Sequence, residues 1–288
     1  MANAFTELLI EVDELNAQLN NTIVLDCRFS LADAGAGEQN YQVGHIPGAF
    51  YCHLDKHLSG EKGERGGRHP MPSAHDFQLQ LMRWGIETDS AVVVYDDQRC
   101  GFAARAWWLL TLADVRNVRI LNGGYQAWID ANRPQDRRRA IVNSATAVPS
   151  QPLQFNQQRL QHYADVIDNT DLLLIDSREA TRYRGESEPI DPIAGHIPEA
   201  INMPWLEVTD DKGYLQPIEF HQRRWQFLQD TDKTPVVYCG SGVTACVNLF
   251  SAALAGYSPS IYPGSWSDWC NRENAPIATE TAVPADQI

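Results

Sequence analysis

Residues 236–257 read VVYCGSGVTACVNLFSAALAGY. An apolar run climbs to Cys239, breaks into the short loop 240–244, and resumes as a longer apolar segment. That order reads as strand, turn and helix, with a thiol at the tip of the strand. A loop that curls from a strand into a helix points successive backbone N–H groups inward, and the helix start adds roughly half a positive charge. Gly240 and Gly242 permit the unusual dihedrals of a tight cradle, and Ser241 and Thr244 add hydroxyl donors. Such a cradle suits a thiolate, a persulfide or a bound oxyanion. The competing reading is a cysteine that serves as a small buried hydrophobe. The rest of the chain has to decide between them.

The elements that must hold this loop occur twice. The first half has IVLDCRF at 23–29, GHIPGAFYCHL at 44–54, VVVYDD at 92–97 and LNGGYQAW at 121–128. The second has LLIDSRE at 173–179, GHIPEAINMPW at 195–205, PVVYCG at 235–240 and YPGSWSDW at 262–269. Each block recurs 141 to 151 residues later, in the same order, so the chain is a tandem duplication. Between the halves, 131–155 is polar, holds three prolines and lacks helical periodicity, which marks a linker. The expected domains are 1–140 and 156–288. In each half, short β-branched runs alternate with longer helical patterns such as AARAWWLLTLA and TACVNLFSAALAG. This predicts an α/β chain of two domains, each a mainly parallel sheet flanked by helices. Sites in such sheets form beyond the carboxyl ends of the strands. Cys239 falls there in the second copy, and Asp96 holds the equivalent position in the first.

Composition narrows the function classes. The 288 residues suit two domains of about 150 residues each. A net charge of −14 argues against nucleic acid or anionic membrane as the main partner. The start, MANAFTELLIEVDELNAQL, has neither a basic beginning nor an unbroken apolar core, so it does not read as a signal peptide. No apolar stretch approaches the ~18 residues of a membrane span. The six cysteines lie far apart with no CxxC pair and read as reduced thiols, so the expected location is cytoplasmic.

With paired DxR, GHIP and GG-type blocks, and a cysteine loop in the second copy only, the sequence resembles the tandem-domain rhodanese sulfurtransferases over nearly its whole length. The loop CGSGVT at 239–244 is similar to that of the 3-mercaptopyruvate sulfurtransferases. Thiosulfate-preferring rhodaneses carry Arg and Lys after the cysteine, which suits a dianion, whereas a neutral loop suits a ketoacid thiol. The resemblance implies that Cys239 takes sulfur from 3-mercaptopyruvate, becomes a persulfide and passes the sulfur to cyanide or a thiol. The acceptor would be a thioredoxin-like protein or a small thiol, and no cofactor or metal is expected.

Residue by residue, the resemblance implies that Arg182 grips the substrate carboxylate, to which a guanidinium fork is suited. Gly240, Gly242, Val243 and Thr244 would line the substrate cradle. Ser241, with His69 in GGRHPMP and Asp55 in CHLDKHL, would handle the proton, which would require both halves of the chain. One departure stands out. Mercaptopyruvate enzymes carry a second substrate arginine just before the second GHIP block, and GESEPIDPIAGHIP has none. Arg184 is the candidate substitute if the backbone delivers it inward. The alternatives are a thiosulfate donor, or a non-catalytic sensor or binding protein built from the same domains.

Other residues have plainer readings. Asp26 with Arg28, and Asp176 with Arg178, read as structural contacts after strands. His45 and His196 occur in both copies, including the one without the cysteine, so they read as scaffold. His53 and His57 have the i, i+4 spacing of a metal pair but no nearby ligand cluster. Cys246, about two turns into the helix, reads as buried rather than as a disulfide partner of Cys239. The tryptophans at 107–108 and 266–269 read as core and interface. A cysteine-dependent phosphatase would need an arginine closing the cradle at position 245, which is Ala245.

Overall fold

The β-branched runs form strands whose pairings are all parallel. The computed structural model describes residues 7–142 and 151–279, so residues 143–150 of the expected linker lie outside the described residues. The first half builds β1 (Leu9–Ile10), β2 (Ile23–Asp26), β3 (Phe50–Tyr51), β4 (Ala91–Tyr95) and β5 (Asn117–Leu121), in the order β1-β5-β4-β2-β3. The second half builds β6 (Leu172–Asp176), β7 (Ile201–Asn202), β8 (Thr234–Tyr238) and β9 (Ser260–Ile261), in the order β7-β6-β8-β9. Without β1 the two orders are the same, and so is the register. Asp26 lies opposite Tyr95 as Asp176 lies opposite Tyr238.

The central strands are apolar because both faces are covered. Val93 and Val94 in β4, and Val236 and Val237 in β8, are fully buried, as strands at the middle of a helix-flanked parallel sheet must be. In the first half Ile10, Val24, Val93, Tyr95, Leu121 and Trp128 share one core. In the second, Leu174, Val236, Tyr238, Tyr262, Trp266 and Trp269 do the same. Trp107, Trp108, Trp266 and Trp269 are all buried.

The paired Asp and Arg residues lock the strand ends. Arg28 forks onto Asp26 and reaches the Gly44 carbonyl at 2.7 Å, while Arg178 forks onto Asp176 and reaches the Gly195 carbonyl at 2.6 Å. His45 and His196 each stack on a tyrosine at 3.8 Å and bond its carbonyl through Nδ1 at 2.7 Å. These four contacts fix the turn that carries each GHIP block, and they are alike in both copies.

The described chain divides into two compact units, and each takes a segment from the other half of the sequence. The first comprises 7–60, 72–142, 151–156 and 209–215, and the second 61–71, 157–208 and 216–279. Within the second unit, the Gly66 N–H donates to Asp268 at 2.9 Å and the Arg68 N–H to Ser267 at 3.0 Å. Within the first, Leu215 donates to Asn122 at 2.9 Å and Arg99 holds Thr209. The duplication in the sequence carries no sign of this exchange, because neither segment belongs to a repeated block.

Candidate active site

The first unit shows what the loop after a central strand does. Asp96, directly after β4, is buried, and its carboxylate accepts the N–H groups of Gln98, Cys100, Phe102 and Ala103 at 2.8–3.0 Å. The amides converge on one position, and a carboxylate fills it. Burial pushes the Asp96 carboxyl up to about 6 even against these donors. A cavity of about 420 Å³ lies alongside, lined in part by Arg99, Cys100, Gly123, Gly124 and Tyr214. The loop after β4 is the first copy's counterpart of the cysteine loop, with Asp96 where the second copy has Cys239.

In the second unit Cys239 follows β8 and is buried. Its N–H donates to Ser265 Oγ at 3.1 Å, and its carbonyl accepts from the Trp266 N–H at 3.0 Å. The loop then enters the helix Ala245–Leu254, with Thr244 as the residue before its first turn. Gly242 has φ +74°, and a Cβ there would lie 2.4 Å from the Pro263 carbonyl oxygen, so glycine is required on both counts. Gly240 differs from the sequence expectation. It does not adopt a positive φ. Its open face is where two guanidinium groups come near: a Cβ would lie 3.0 Å from Nη2 of Arg68 and 3.4 Å from Nη2 of Arg182.

Beside the cysteine, Ser241 Oγ is hydrogen-bonded to His69 Nδ1 at 2.8 Å, and both residues are buried. Val243 is buried, and its carbonyl accepts from the Cys246 N–H at 3.1 Å. Arg182 donates to Glu188 at 2.7 and 3.1 Å and reaches Asp191 at 3.4 Å. Arg68 is ion-paired with Asp191. Arg184 instead pairs with Glu186, at 2.6 and 2.9 Å. Asp55 belongs to the first unit, on the helix Leu54–His57, where its N–H donates to His53 Nδ1 at 3.1 Å.

The second unit thus brings together Cys239, Gly240, Ser241, His69 and Arg182, and adds Arg68, which sequence reasoning passed over. The signal lay in GGRHPMP. If His69 reaches the loop, its neighbour does too, and the two glycines ahead of it allow close docking. Gly67 has φ +77°, and a Cβ there would meet the Gly264 carbonyl oxygen at 2.4 Å. The spacing of His53 and His57 also finds its cause. The His53 N–H donates to His57 Nδ1 at 3.0 Å, so the spacing serves the start of the helix Leu54–His57. Cys246 is buried, and its thiol donates to the Gly242 carbonyl at 3.4 Å.

The Rhodanese-like domain family matches the chain twice, at residues 11–131 and 160–272. A Pseudomonas aeruginosa protein named "Probable 3-mercaptopyruvate sulfurtransferase" is 40% identical over 287 residues, 94% of this chain and 98% of that protein. The thiosulfate sulfurtransferase of Gallus gallus is 30% identical over 264 residues, 86% of each. Among solved structures, the 3-mercaptopyruvate sulfurtransferase from Leishmania major aligns with a TM-score of 0.79 at 26% identity, over 91% of this chain and 74% of that one. No helix among the described residues is long and apolar enough to cross a membrane.

Proposed function

The chain belongs to the rhodanese-like sulfurtransferases in their tandem-domain form, and from that premise we propose that it moves sulfur from 3-mercaptopyruvate to a thiol through a persulfide on Cys239. The Cys239 thiolate attacks the donor sulfur, and an S–S bond forms as the C–S bond breaks. The electron pair of that bond passes to carbon, leaving the enolate of pyruvate. The proton of the donor thiol ends on that carbon. An acceptor thiolate or cyanide then attacks the outer sulfur, and the S–S bond breaks to return the Cys239 thiolate. Ser241 and His69 relay the proton, and Arg182 holds the donor carboxylate beside the amides of 240–244. The physiological acceptor is a small thiol or a thioredoxin-like protein, and the setting is cytoplasmic.

The single observation that carries this reading is the contrast between the two loops. The same strand-to-helix cradle holds a carboxylate in the first unit, and in the second a cysteine beside a hydrogen-bonded Ser–His pair. The loop's side chains are neutral, which favours the ketoacid thiol over thiosulfate. The test is steady-state kinetics with 3-mercaptopyruvate and thiosulfate side by side. We expect the larger kcat/KM with 3-mercaptopyruvate, the mass of one added sulfur on Cys239 after donor alone, and neither in Cys239→Ser. A larger kcat/KM for thiosulfate would overturn the donor assignment.

A further inference from the structure

The histidine pair whose spacing suggests a metal has a different setting in the first unit. His53 and His57 line a cavity of about 410 Å³ at the β3 edge of the first sheet. Its wall is aromatic, built from Tyr41, Phe50, Tyr51 and Trp84. Trp84 lies edge-on to the His57 ring, with centroids 5.5 Å apart. The volume falls in the range of small-molecule sites, which combine apolar walls with a few placed polar groups.

His57 is one such group. Its Nδ1 accepts the His53 N–H, so a neutral ring carries its proton on Nε2, and no described residue accepts that proton. The ring is neutral at pH 7. Burial, the largest cause, lowers its pKa from 6.5 to about 4, with His53, Lys56 and Arg83 adding to the shift and Glu38 opposing it. The remaining polar groups are charges, and they do not cancel. Lys56, Arg83 and Arg139 share the cavity with a single carboxylate, Glu38. Glu38 is ion-paired with Arg139 and lies 3.7 Å from Lys56. Arg83 bonds the neutral Gln80 at 3.4 Å and has no carboxylate partner among the described residues. Three cations against one carboxylate leave an excess of two positive charges, in a chain whose net charge is −14. A local field of that sign concentrates anions.

We propose that this cavity binds an aromatic phosphomonoester of nucleoside monophosphate size, its phosphate among Lys56, Arg83 and His57 and its ring against the aromatic wall. A phosphomonoester carries about two negative charges at neutral pH, which matches the excess of cations. A guanidinium takes two phosphate oxygens at once, and the Nε2–H of His57 adds a neutral donor. A monocarboxylate would leave one positive charge unmatched, and phosphate alone would leave the aromatic wall unused. Every lining residue belongs to the first unit, so the site is independent of Cys239 and of the sulfur-transfer reading.

The test is isothermal titration calorimetry of the full chain with adenosine monophosphate, and with adenosine and inorganic phosphate as its separate halves. Adenosine monophosphate should bind about tenfold or more tightly than either half. Arg83→Gln and Lys56→Gln, both at exposed positions, should keep the wild-type circular dichroism. Each should weaken adenosine monophosphate about tenfold and leave adenosine as it was. No heat with millimolar adenosine monophosphate would overturn the proposal. So would an affinity no better than that of adenosine or phosphate, or one that neither substitution changes.

Discussion

Thiosulfate and 3-mercaptopyruvate differ in a way that Ser241 and His69 can register, since only the thiol donor carries a proton that must be moved. Thiosulfate gives up its outer sulfur and leaves as sulfite without a proton transfer. Ser241→Ala and His69→Gln should therefore lower kcat with 3-mercaptopyruvate by about 10²–10⁴-fold, the usual worth of positioned proton transfer, while thiosulfate turnover changes little. Equal losses with both donors would mean that the 2.8 Å Ser241–His69 bond shapes the loop rather than moves a proton. At this scale the residue types were legible. Cys239, Ser241 and Arg182 stand in motifs, and His69 in a short one. Arg68 was not legible, because a side chain's direction depends on how its loop docks, and no spacing rule gives that. Gly240 illustrates the same point: its neighbours are guanidinium groups remote in sequence, and its own dihedrals need no glycine.

The element that delivers the cradle is the helix Ala245–Leu254, and its position depends on a buried polar chain. Trp225 Nε1 donates to Ser251 Oγ at 3.0 Å, the Ser251 hydroxyl meets His221 Nδ1 at 2.9 Å, and His221 Nε2 bonds the Gln216 carbonyl at 3.0 Å. Nε2 donates to the carbonyl, and a neutral ring leaves Nδ1 to accept the Ser251 proton, which closes the chain. Burial, the largest cause, lowers its pKa from 6.5 to about 4, with Arg224 adding to the shift and the Gln216 carbonyl opposing it. The unfolded chain then binds the proton more readily than the folded one. The contribution is whole above pH 6.5 and is lost as pH falls toward 4, up to about 3 kcal/mol. Denaturant unfolding of wild type and His221→Gln at pH 7 and pH 4.5 should show the gap between them narrowing in acid. An equal gap at both pH values would contradict the neutral-histidine account. The helix itself was legible as a long apolar run after a glycine loop, as were β2, β4, β6 and β8. The two-residue strands β1, β3, β7 and β9 were not, since two residues show no alternation.

For the molecule as a whole, a net charge of −14 has to coexist with an anionic donor. Repulsion at long range is screened within about 8 Å at physiological salt, so capture falls to cations close to Cys239. Arg68, whose guanidinium lies over Gly240, and His69, the proposed proton carrier, come from the first half of the sequence but are part of the second unit. The tandem repeat made two domains visible in the sequence, yet the exchange of 61–71 and 209–215 left no mark there, because docked loops have no period. A fragment spanning 156–288 keeps Cys239 and every strand of its sheet but loses the segment that bonds Asp268, Ser267, Asp191 and Ser241. It should turn over 3-mercaptopyruvate at no more than about a hundredth of the full-length rate, as expected when positioned proton transfer is removed. Since a fragment can fail simply by unfolding, Gly67→Ala in the full chain is the cleaner probe. Its added methyl would fall 2.4 Å from the Gly264 carbonyl oxygen and 2.6 Å from Ser267 Oγ, at a φ of +77° that alanine rarely adopts. The 61–71 loop should then undock from the second unit. Activity with 3-mercaptopyruvate should fall in step with His69→Gln, while the unfolding of the first unit stays where it was. A fragment or a Gly67→Ala protein with full turnover would show that the 61–71 segment is dispensable to the chemistry, and that Arg68 and His69 owe their places to packing alone.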